Sequence, residues 1–310
     1  MNRLILLSMI LAALAGSAFG NEPPRLRAVA TTSIAGDVVK AVAGDGLDLR
    51  VLMGAGMDPH TFEPTPRDAA AVAEARLLVV NGAGLETFQE RLLDANRSER
   101  TRLVDLSEGL PLRHSAEVCP HDHDHAGHDH DQPDPHVWLD PTLVIRWVDT
   151  IARVLQEEDP AHADQYQARA EDYRRRLEEL DEWIRTTVDR LPSSQRRFVT
   201  DHHEFGYFAD RYGFTVTGAL LPNITTTAES SAREMAQLEE HIRETGTRVL
   251  VVGHGINPSL ARRVARDTGL QVITLFTGAL SPPEGPAATY LDLMRYNVSN
   301  LVQALRPASP

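Results

Sequence analysis

The sequence predicts an α/β protein of two βα lobes with parallel sheets, joined by one long rigid helix and facing each other across a cleft. Three observations carry this. Short β-rich runs alternate with helical patterns from Arg27 to Leu106, the alternation returns from Arg197 to Leu305, and a single helical stripe lies between. Such alternation sets strands side by side in parallel, with helices packed on the sheet.

In the first lobe, strands are expected at 27–32, 47–53, 77–81 and 102–106, and helices at 34–43, 67–75 and 86–93. The pattern stops near Arg113. Residues 114–135 then carry His114, His121, His123, His125, His128 and His130 among acids, Gly and Pro, a composition with nothing to bury and therefore a loop. From Pro160, the residues Tyr166, Tyr173, Leu177, Leu180, Ile184, Val188 and Leu191 recur at helical spacing, and Pro192 ends the stripe. The second lobe repeats the first, with strands at 197–200, 215–221, 248–252 and 271–276 and helices at 205–212, 231–245, 258–268 and 287–305. The expected divisions are 1–20, 21–158 with the His-rich loop 114–135, 159–192 as the linking helix, and 193–310.

The first division reads as a secretory signal peptide. Arg3 precedes an apolar run from Leu4 to Leu14, followed by small residues up to Gly20. The run is shorter than the ~20 residues a membrane span needs. No cysteine follows it, so the expectation is a protein secreted to the periplasm and not lipid-anchored. With 44 acidic against 31 basic residues, the chain has no broad attraction to phosphate backbones, which argues against nucleic acid. Its one cysteine, Cys119, excludes an intramolecular disulfide framework.

Three of the 13 histidines stand out by position. His60 lies in Asp58-Pro-His-Thr-Phe-Glu-Pro-Thr-Pro66, a turn stiffened by prolines just past a strand. His136 lies in a second Asp-Pro-His, and His202 directly follows the strand that opens the second lobe. Ligands bind beyond the carboxyl ends of strands in open parallel sheets, and three neutral imidazoles suit Zn²⁺. Spacing alone leaves turn and capping roles open for all three.

The motifs around these histidines resemble the cluster A-I solute-binding proteins of zinc and manganese ABC importers, zinc-uptake type. The residues that carry the resemblance are Asp58 to Pro66, Asp134-Pro-His-Val-Trp-Leu-Asp-Pro141, Asp159 to Tyr166, His202 to Gly213 and Tyr290 to Asn297. The resemblance implies a metal site in the interlobe cleft with His60, His136 and His202 as ligands, Zn²⁺ as the transported ion, and an ABC permease in the inner membrane as partner. A periplasmic zinc donor is a further candidate partner, and a monomer is expected. Such proteins commonly carry an aspartate after the last strand of the second lobe, where Phe276 or Gly278 stands here. For the fourth position, water or a loop histidine is favoured over His254, Glu204 and Glu63.

The expected function is capture of Zn²⁺ and its delivery to a permease. The alternative is a zinc-dependent hydrolase with an open three-histidine site; against it, no nucleophile or phosphate-binding loop accompanies the histidines. The alternating His and Asp of the loop suit weak binding of several metal ions. Deleting residues 119–132 is expected to leave one tight zinc equivalent while the weaker equivalents disappear, as read by titration against a chromogenic chelator.

Overall fold

The computed structural model describes residues 25–86, 100–114, 132–221, 224–226, 230–256 and 258–307. The expected signal peptide, most of the helix at 86–93 and loop residues 115–131 lie outside the described residues. His114 and Pro133, at the two ends of that loop, pair in an isolated antiparallel bridge.

The first sheet contains β1 (Leu26–Thr32), β2 (Leu47–Met53), β3 (Leu77–Val80) and β4 (Arg102–Asp105), all parallel, in the order β2-β1-β3-β4. Helices α1 (Ser33–Ala43) and α2 (Pro66–Glu74) belong to the same half. The second sheet contains β5 (Arg197–Thr200), β6 (Thr215–Ala219), β7 (Val249–Gly253) and β8 (Gln271–Leu275) in the equivalent order β6-β5-β7-β8, again parallel. Its helices are α5 (Gly206–Tyr212), α6 (Ala232–Thr245), α7 (Ser259–Thr268) and α8 (Tyr290–Leu305). Each strand order reverses beside its first strand, which opens a crevice at the carboxyl end of the sheet.

Side chains alternate across each sheet, and both faces are covered. In β3, Leu77 and Val79 join the largest apolar cluster while Leu78 and Val80 join another, with Val29, Leu52 and Val72. In β7, Val249 and Val251 face the large cluster, and Leu250 and Val252 pack with Met235, Ile242 and Val264. Full burial on both faces explains why these strands read as unbroken apolar runs.

The connector differs from the expected single helix. Two long helices, α3 (Pro141–Glu158) and α4 (Ala163–Val188), join the halves. They run antiparallel, because Gln156 bonds Gln167 and Arg174 pairs with Asp149. Helix α3 went unread between Arg113 and Pro160, although Asp140-Pro141 is a helix-start signal. The Asp140 carboxylate accepts the Thr142 N–H at 2.8 Å, and Pro141 occupies the first turn. The pair forms one continuous core with both sheets through Trp147, Ile151, Leu177, Leu180 and Ile184.

Arg211 ties this connector to the second half. Its Nε and Nη2 donate to the Asp181 carboxylate of α4, each at 2.7 Å, and its Nε lies 3.2 Å from Asp140 at the start of α3. Tyr212 adds a hydroxyl bond to Asp181 at 2.8 Å. Burial alone would raise the Asp181 pKa, but the bonds from Arg211 and Tyr212 outweigh it and hold the carboxyl below its usual range. Asp181→Asn is expected to lower the melting temperature by about 4 °C, from a loss of about 2 kcal/mol. A carboxyl with a lowered folded pKa stabilises above the unfolded value, and the benefit goes as pH falls through the folded one. The gap between wild type and variant, followed by thermal melts across pH, should therefore narrow below about pH 4.

Candidate metal centre

The three histidines singled out in the sequence meet at one point. His60 arrives in the connection after β2, where its N–H donates to the Asp58 carboxylate at 2.9 Å and so fixes the turn. The other Asp58 oxygen accepts the Thr226 hydroxyl from the second half at 2.7 Å. His136 lies between β4 and α3. Its approach to the sheet is set by Asn81, just past β3, whose side-chain amide donates to the Pro135 carbonyl at 3.1 Å. His202 follows β5 at the reversal of strand order, and the neighbouring Asp201 accepts the Gly253 N–H at the end of β7, at 2.6 Å.

A carboxylate orients two of the imidazoles. Asp134 Oδ1 lies 2.7 Å from His136 Nδ1 and accepts the His136 N–H at 3.0 Å. Asp201 Oδ1 does the same for His202, at 2.7 and 2.8 Å. The carboxylate holds the proton on Nδ1 and leaves the Nε2 lone pair facing inward, the arrangement a metal-binding histidine requires. His136 Nε2 is 3.2 Å from His60 Nε2 and 3.3 Å from His202 Nε2. All three rings are buried, with 9%, 1% and 3% exposure for His60, His136 and His202.

The space of about 10 Å³ beside these rings suits one water or one ion. Glu204, Thr277 and Gly278 line it together with the three imidazoles. Burial, and then the neighbouring imidazoles, push the His60 pKa well below its usual value. Burial likewise lowers His136, against the pull of Asp134. Burial also works against charge on His202, but Glu204 and Asp201 overcome it and raise the pKa to about 9. Burial raises that of Glu204. The metal-free centre is therefore unevenly charged, with the proton held on the His202 side.

The remaining sequence candidates separate clearly. Glu204, two residues after His202, brings Oε2 to 3.6 Å from His202 Nε2. His254 borders the cavity, but it is exposed and its ring stacks on Phe276 at 4.2 Å. Glu63 is exposed and does not line the cavity. Gly278 lines it, yet a Cβ there would stand 2.8 Å from Pro59 Cδ, so any side chain must displace the turn that carries His60. The orienting residues Asp134 and Asp201 went unremarked in the sequence, although each stands one or two positions before its histidine.

Comparison with known proteins agrees with this geometry. The family described as "ZnuA: Zinc-uptake complex component A periplasmic" matches residues 28–304. The chain is 32% identical over 284 residues to the "Manganese-binding lipoprotein MntA" of Halalkalibacterium halodurans, covering 90% of this chain and 88% of that protein. It is 28% identical over 287 residues to the "Manganese ABC transporter substrate-binding lipoprotein PsaA" of Streptococcus mitis, covering 91% and 89%. The periplasmic zinc-binding protein TroA from Treponema pallidum superimposes with a TM-score of 0.81 at 28% identity, over 91% of this chain and all of that one. The relatives overturn one expectation, that of a protein without a lipid anchor. MntA and PsaA are both lipoproteins, a class held at the membrane by its acyl chains. The expectation rested on the absence of a cysteine after the apolar run Leu4 to Leu14. Matched along almost its whole described length, the chain belongs to this family of metal-binding solute-binding proteins of ABC importers, and its work is transport and not catalysis.

Proposed function

We propose that the protein captures Zn²⁺ through His60, His136 and His202 and delivers it to an ABC permease. The observation that carries this reading is the spacing of the imidazole nitrogens. A tetrahedral zinc with Zn–N of about 2.0–2.1 Å separates its ligands by about 3.3–3.4 Å. The Nε2 atoms of His136 and its two neighbours stand 3.2 and 3.3 Å apart. In the metal-free protein a proton held on the His202 side can bridge such nitrogens, and a cation placed between them takes over that role.

The choice of zinc over manganese rests on the donor set. Two matched relatives are named for manganese and the structural neighbour TroA for zinc, so names alone do not decide it. Imidazole nitrogen suits Zn²⁺, whereas Mn²⁺ prefers a set rich in oxygen. The hydrolase alternative finds no support in a family whose members serve importers. In this reading the protein works as a monomer, with 21–158 and 193–310 as lobes and the segment 159–192 linking them together with α3, which packs along it. A periplasmic zinc donor would load the site ahead of the permease.

Titration of the metal-free protein is expected to give one tight equivalent, with Zn²⁺ displacing Mn²⁺ in competition. His136→Ala should weaken zinc binding more than about a hundredfold, because it removes the central ligand. Isothermal titration calorimetry with a competing chelator measures both. Equal affinity for the two ions, or tight binding by the variant, would overturn the reading.

A further inference from the structure

We propose that Glu204 supplies the fourth, oxygen ligand to the transported ion. The inference rests on the three-histidine reading above and extends it. The Glu204 carboxylate is 1% exposed, and it borders the same small cavity as the three imidazoles. Its Oε2 stands 3.6 Å from His202 Nε2; Glu204 clusters with Asp201 and His202 but not with His60 and His136, so the side chain must turn to meet the other two imidazoles.

The other groups around the cavity are committed elsewhere or bring no donor. Both oxygens of Asp58 accept hydrogen bonds, one from the His60 N–H and one from Thr226. Asp201 is occupied by His202 and the Gly253 N–H. Gly278 offers no side chain, and the His254 ring lies flat on Phe276. Glu204, by contrast, has only the hydroxyl of Thr200, at 3.4 Å, the hydroxyl of Thr277 and the adjacent His202. No arginine or lysine pairs with it among the described residues.

A carboxylate buried without a fixed cation is costly. So is a divalent ion surrounded by neutral imidazoles alone. Bringing the two together offsets both costs and completes a set of three nitrogens and one oxygen. Glu204 reaches the ion by rotation about its own side-chain bonds, away from the long Thr200 contact and towards the centre of the cavity. The resulting site is closed to water, and its single hard oxygen makes Mn²⁺ a stronger competitor than three imidazoles would allow.

The test compares wild type with Glu204→Gln, Glu204→Asp and His136→Ala in the full-length protein. Zn²⁺, Mn²⁺ and Co²⁺ serve as probes, and melting of the metal-free forms serves as the folding control. Glu204→Gln keeps the size and the hydrogen bonds but loses the charge. It should weaken Zn²⁺ by at least about tenfold and Mn²⁺ by more, and it should shift the visible spectrum of bound Co²⁺. Glu204→Asp retains the charge on a shorter arm, and it should produce the same spectral shift even if Glu204→Gln folds poorly. Affinities within twofold of wild type and an unchanged Co²⁺ spectrum in both variants, with binding lost in His136→Ala, would overturn the role of Glu204 and leave the three-histidine reading standing. Retention of tight binding by His136→Ala would overturn both.

Discussion

Three imidazole nitrogens aimed at one point are the constraint on which the rest of this structure depends. Their nitrogens stand 3.2 and 3.3 Å apart, within reach of a shared proton or a shared cation. His60, His136 and His202 are held there by bonds made elsewhere: Asp58 on a backbone N–H, and Asp134 and Asp201 on both a backbone N–H and Nδ1. The scaffold absorbs the cost of this arrangement through its continuous apolar core. A cation recovers it on binding, so affinity is stored in the metal-free protein as preorganisation.

The two halves contribute unequally. His60 and His136 come from segments before the helical pair, whereas His202 and Glu204 come from the first turn beyond β5. Several bonds close the cleft around them. Gly56 N–H donates to the Leu280 carbonyl at 2.9 Å, Leu280 N–H to Ser33 Oγ at 3.0 Å, and Tyr290 N–H to Asp37 at 2.8 Å. Tyr207 adds bonds to the Arg113 N–H and the Asp134 carbonyl, and the connector, locked by Arg211 on Asp181 and Asp140, shares one apolar core with both sheets.

Much of this was legible in the residues. The strands at Leu47–Met53 and Arg197–Thr200 begin and end where the alternation of types places them, because both are bounded by abrupt changes in polarity. The three histidines were identifiable from their positions after strands and in proline-stiffened turns. Helix α3 was hidden because Asp140-Pro141 was read together with the preceding Asp-Pro-His as one motif, which obscured a helix start. That Glu204 borders the cavity was not legible, since sequence distance from a histidine says nothing of where a carboxylate turns. Its position depends on the backbone after β5 and on Thr277, contributed from more than seventy residues away. Long-range placement of that kind is a product of packing and leaves no local signature.

Trp138 gives the cleft an optical consequence. Its ring lies 5.3 Å from that of His136, edge-on, and its indole N–H donates to the Thr277 carbonyl at 2.7 Å, across from the segment that follows β8. The other two tryptophans, Trp147 and Trp183, sit on the long connecting helices. Of the three, only Trp138 therefore touches the histidine cluster and the opposite wall of the cleft at once. If the proposed site binds the ion, its fluorescence would report loading without any label, because a paramagnetic ion held at His136 would lie within quenching range of it.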